Sequence, residues 1–128
     1  MSRKEYLQHI ISLHERLILT SEEYEGVAEE FIRKQELNIP AMKEQWLEKV
    51  EEFKQILTDM MALEIPNAFE IEGKELQLVY ERFVHCVEEK THIFSVEAME
   101  NGELDTIQEQ EEQAAERMEE LIQSMFDK

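Results

Sequence analysis

The chain has 128 residues, 42% hydrophobic and 34% charged, with 31 acidic against 13 basic side chains and a formal charge of −18. That length is one domain able to bury a core without disulfides, and the apolar share argues against a disordered chain. The charge counts against phosphate backbones and anionic lipid as partners, leaving no nucleic acid and no membrane among the expected ligands.

Three glycines and two prolines are too few turn residues for a β-sandwich. The apolar spacing instead predicts four helices. The first spans residues 2–36 and opens on a capping box, Ser2 with Glu5. Its predicted core face is Ile10, His14, Leu17, Ser21, Tyr24, Ala28 and Phe31, at alternating steps of four and three. Gly26 lies inside the pattern, and Thr20 with Glu23 is a second capping-box spacing. A single helix is the expectation, with a kink near Thr20 as the alternative.

Asn38 and Pro40 suit a helix start, because proline's missing N–H has no partner in a first turn. The second helix, residues 39–63, directs Met42, Trp46, Val50, Phe53, Leu57 and Met60 inward. A break over 64–73 carries Pro66 and Asn67, and its Ile65, Phe69 and Ile71 are expected to fold over one end of the domain. The third helix, residues 74–99, presents Leu76, Val79, Tyr80, Phe83, Cys86, Val87, Phe94 and Ala98. Asn101-Gly102 ends it, glycine being the usual residue of a left-handed C-terminal turn. The fourth, residues 103–126, repeats Leu104, Ile107, Glu111, Ala114, Met118, Leu121 and Met125 without a miss.

Four amphipathic helices with short connections predict an all-α fold, an antiparallel up-down-up-down four-helix bundle forming one domain over 1–128. Facing residues of an antiparallel hairpin have numbers with a constant sum. Phe83 with Met118, Val87 with Ala114, Phe94 with Ile107 and Leu76 with Met125 share one sum. The two charged residues on these stripes, Lys90 and Glu111, have the same sum, so they are predicted to share a layer. The pair is expected to set register more than to add stability, because desolvation offsets much of its attraction.

Three candidates for chemistry stand out. Glu89 and His92 have the Glu-x-x-His spacing of ferritin-like bundles, and His85, Glu89 and His92 have helical spacing also found among hemerythrin-like ligands. At about 100° per residue, however, His85 and His92 point about 160° to 180° from Phe83, and a bundle metal site needs inward ligands. No cofactor is therefore expected. Cys86 is the only cysteine. It falls on the apolar face, about 100° from His85, so it reads as a small hydrophobe rather than a nucleophile. His14, at the edge of the first helix's core face, reads as a hydrogen-bonded structural histidine.

The expected function is that of a non-enzymatic protein-binding adaptor, regulator or export-type chaperone, with a metal-binding ferritin-like or hemerythrin-like bundle as the alternative. In size, acidity and a closing helix rich in Glu and Gln, the chain resembles small acidic secretion or flagellar export chaperones. No motif carries that resemblance, and no site residue follows from it. Residues 103–128 hold nine acidic and two basic side chains, a net of −7, so an electrostatic partner is expected to be basic. Ile11, Ile18, Leu47 and Leu78 sit off the core stripes and are candidates for a homodimer or partner surface. One unpaired cysteine and an opening without an apolar signal region suggest a cytoplasmic protein.

Overall fold

The computed structural model describes residues 1–128. It is all-helical: five α-helices and no strand. α1 is Arg3–Arg33, α2 Ile39–Met61, α3 Glu70–Ile93, α4 Val96–Glu100 and α5 Glu103–Phe126, with a 3-10 turn at Asn67–Phe69 before α3. α1 packs on α2, α2 on α3 and α3 most extensively on α5, whereas α1 and α5 touch only sparsely. No helix is long and apolar enough to cross a membrane.

α1 is one unbroken helix through Thr20 and Gly26. Its start is capped by Ser2, which accepts from the Glu5 N–H at 3.1 Å and donates to the Glu5 carboxylate. Its end lies three residues earlier than residue 36. There Gln35 adopts φ 58°, and the N–H groups of Gln35 and Glu36 reach back to Ile32 O and Phe31 O. This is a left-handed stop of the kind glycine usually makes. Asn38 then caps α2 by accepting from the Ala41 N–H, with proline in the first turn.

The third expected helix, 74–99, needs correction at both ends. It starts earlier, at Glu70, so Gly73 lies inside it. A Cβ at Gly73 would sit 2.6 Å from Ile65 Cγ2 and 2.8 Å from the Tyr6 hydroxyl, so a bare backbone lets the connection close over α1. Phe69 fills that end, fully buried and stacked on Tyr6 at 5.9 Å. Ile71, expected to fold over the same end, is exposed. The helix also stops earlier, at Ile93. Phe94 leaves helical geometry at ψ 122°, and Ser95 caps the separate α4 by accepting from the Ala98 N–H at 3.0 Å. Gly102, at φ 84°, turns the chain into α5.

One core runs through the helices. Phe53, Met60, Leu76, Tyr80 and Met118 are almost wholly removed from solvent, and each side chain contributes about 1.5–3 kcal/mol by burial. On α2, Ile56 rather than Leu57 is the buried residue, Leu57 packing at the edge. On α1 the buried row is Tyr6, Ile10, Leu13, Leu17, Thr20, Tyr24 and Val27. His14, Ser21 and Ala28 stand one position further round and, like Phe31, are only half-buried. The three of these that turn toward α5, His14, Ser21 and Ala28, line a groove.

Candidate binding groove between α1 and α5

Because α1 and α5 barely touch, the seam between them stays open, and two adjoining cavities occupy it. The larger, about 390 Å³, is lined by Tyr24, Glu25 and Ala28 of α1, Trp46 of α2, Lys90 of α3, Phe94, Met99 of α4, and Leu104, Asp105 and Gln108 of α5. The smaller, about 290 Å³, lies among His14, Leu17, Ile18, Ser21, Glu22 and Glu25 on one side and Gln108, Glu111, Glu112, Ala115, Met118 and Glu119 on the other, with Phe83 at its floor.

Aromatic packing builds the floor of the larger cavity. Trp46 stacks on Tyr24 at 5.4 Å between ring centres and meets Phe94 edge-on at 4.7 Å. Its indole N–H donates to the main-chain carbonyl of Tyr24 at 2.9 Å, which fixes the ring against α1. The Tyr24 hydroxyl is 2.7 Å from Thr91 Oγ1, and Thr91 in turn donates to Val87 O. Burial is the main cause that pushes the Tyr24 phenol up to about 12, with the Thr91 contact opposing and the Glu111 charge assisting. The phenol therefore stays protonated at neutral pH. The break comes at ψ of Phe94, after its ring is placed, and redirects the chain so that Met99 of α4 also lines the cavity.

Lys90 and Glu111 divide the two cavities. The ammonium lies 2.9 Å from Glu111 Oε1 and donates to Gln108 Oε1 at 2.9 Å, over the Tyr24 ring at 5.0 Å from its centre. Its approach to Glu111 is off the hydrogen-bond direction, so that oxygen is held by charge rather than by a directed donor. Both side chains are largely buried, 15% and 12% exposed. Lys90 and Glu111, expected to share a layer of the hairpin, are in contact.

The rim is acidic. Six carboxylates line the two cavities, Glu22, Glu25, Asp105, Glu111, Glu112 and Glu119, against the single ammonium of Lys90, which Glu111 already neutralises. His14 closes the far end, its Nδ1 2.9 Å from the Tyr80 hydroxyl.

The other sequence candidates lie elsewhere. His85 Nε2 and Glu89 Oε2 are 3.7 Å apart on the exposed side of α3, with the His85 side chain 72% exposed. His92 is exposed as well, and its main-chain carbonyl accepts from Lys43. These three do not converge into a ligand cluster. Cys86 is a buried free thiol, pushed up by burial first and then by the Glu111 and Glu89 charges, which favours the thiol over the thiolate. Ile11, Ile18, Leu47 and Leu78 are all exposed, and of these Ile18 lines the groove.

The aromatic trio was visible in the sequence only as three separate core residues. The small residues Ser21, Ala28 and Ala115, which line the cavities, are the one sequence signal of space between α1 and α5. No protein-family model matches the chain, no curated protein does, and no solved structure does.

Proposed function

We propose that this is a cytoplasmic, non-enzymatic protein-binding domain, of the adaptor, regulator or export-chaperone kind, built as an up-down-up-down four-helix bundle with α4 as a short spur. The antiparallel reading is supported by contacts that join the start of one helix to the end of its neighbour. Lys43 near the start of α2 with the His92 carbonyl near the end of α3, and Lys128 just past α5 with Glu72 near the start of α3, are examples. A single unpaired cysteine suits a reducing compartment.

The observation that carries the function is the open seam between α1 and α5, apolar at its floor and acidic at its rim. A surface that reads another chain needs an apolar centre and a polar surround rather than a reactive group. The acidity repels nucleic acid and favours a basic protein. The test is native purification from the host, with cross-linking and mass spectrometry. A protein retained in stoichiometric amount supports the proposal. The domain eluting alone counts against it, and stoichiometric iron, manganese or zinc in protein purified without chelator replaces it with a metal-binding reading.

A further inference from the structure

The groove has a length, a charge and two apolar depressions, and together they describe an occupant. On α1 it extends from His14 to Ala28, about 21 Å at 1.5 Å per residue, and on α5 from Leu104 to Glu119, about 23 Å. A helix of about 14 residues has that length. The α1 residues lining the larger cavity, Tyr24 to Ala28, centre near Gly26, and those lining the smaller, His14 to Glu25, centre near Leu19, with Glu25 shared by both. The two centres are thus separated by about two helical turns, roughly 10 Å, the distance between side chains at i and i+7.

We infer that the groove seats a basic amphipathic helix of a partner protein. One large apolar side chain enters the cavity floored by Tyr24, Trp46 and Phe94, a second enters beside Ile18 and Ala115, and lysines or arginines face the carboxylates of both rims. This rests on the protein-binding reading above and adds the site and the chemical class of the partner. Apolar anchors at i, i+3 or i+4, and i+7 are the pattern by which a helix fills a groove. Charge decides among occupants. A second copy of this chain would set one −18 molecule against another, concentrating like charge at the contact, whereas a cationic helix meets complementary potential and associates faster. Charge alone does not choose the place, since carboxylates cover the whole surface. The apolar floor does, because Glu44 and Glu48 on the exposed side of α2 line neither cavity.

The experiment uses the full chain and three synthetic peptides of about 14 residues. One is a Lys/Leu peptide with leucine on a single helical face, one has the same composition with leucine scattered round the helix, and one replaces Lys with Glu. Trp46 is the only tryptophan and lines the larger cavity, so its emission reports entry. The segregated Lys/Leu peptide is expected to bind and shift that emission, and the scattered peptide to bind at least about tenfold more weakly. The Glu/Leu peptide is expected not to bind. Glu25→Lys with Glu112→Lys is expected to weaken the Lys/Leu peptide about tenfold or more, and Glu44→Lys with Glu48→Lys, the same change of charge elsewhere, by less than about twofold.

Equal losses in the two double variants, equal binding of segregated and scattered peptides, or an unchanged Trp46 emission would overturn the inference in favour of non-selective charge attraction. If a variant does not fold, the three peptides on the native chain still decide. Sedimentation showing a dimer that the Lys/Leu peptide fails to disperse would assign the groove to a second copy instead. A native partner cross-linked outside the groove sinks this inference and leaves the protein-binding reading standing, whereas finding no native partner sinks that reading itself.

Discussion

His14 on α1 and Tyr80 on α3 meet across the core, imidazole Nδ1 to phenol oxygen at 2.9 Å. Burial is the larger influence on His14 and lowers its pKa from 6.5, while the Glu119 carboxylate opposes it. A histidine that resists protonation only when folded gives stability that is complete above its unfolded value and lost as pH falls through that value toward the folded one. Acidification from about pH 7.5 to about pH 5.5 should therefore lower the urea midpoint of the native protein more than that of His14→Gln. Equal drops in the two proteins would show that His14 plays no part in the acid sensitivity.

The Lys90–Glu111 pair should behave as a unit. Removing one partner leaves a largely buried charge uncompensated, so Lys90→Met or Glu111→Leu alone is expected to cost on the order of 2 kcal/mol. Both together should cost less than either alone, because the apolar replacements avoid the desolvation that the ion pair carries. A double-mutant cycle by chemical denaturation measures this, and simple additivity would rule the coupling out.

Gln35 occupies a left-handed position at the end of α1. A side chain there is held against its Cβ, and glycine relieves the strain while adding freedom to the unfolded chain. The net expectation for Gln35→Gly is a gain of about 0.5–1 kcal/mol. A lower melting temperature in this variant would mean that the Gln35 side chain has a role of its own.

Gly73 presents the opposite case. Its φ is ordinary, and what matters is space, with Ile65 and the Tyr6 hydroxyl already where a Cβ would go. Gly73→Ala should destabilise by about 1–3 kcal/mol through overpacking, despite alanine's better helix propensity. Calorimetry showing no loss would mean that the Ile65 connection shifts freely.

The sequence carried its information unevenly. On α5, steps of three and four ran from Ile107 to Met125 and identified the buried face, because that helix has one dominant neighbour. α1 has two faces to offer. His14, Ser21 and Ala28 fit a helical stripe as well as Leu13, Thr20 and Val27 do, and adjacent stripes lie only about 100° apart. Periodicity could not say which would be sealed by α2 and which left toward α5. Ser95 has the side chain of a cap, but Phe94 and Ala98 prolong the apolar rhythm and hide the break. The groove was illegible for a different reason. Its width is a distance between helices far apart in the chain, and no local pattern encodes that distance.

A ring of helices with three firm seams and one slack one has a preferred direction of give. Displacement of α5 from α1 breaks few contacts, while α5 is tied to α3 by Lys90 to Glu111, Arg117 to Glu75 and Lys128 to Glu72. Amide protons beside the slack seam on α1 should therefore exchange with solvent sooner than those of α3, whose protection should approach that of global unfolding. By its contacts, the seam between the first and last long helices is the place where the domain opens at least cost.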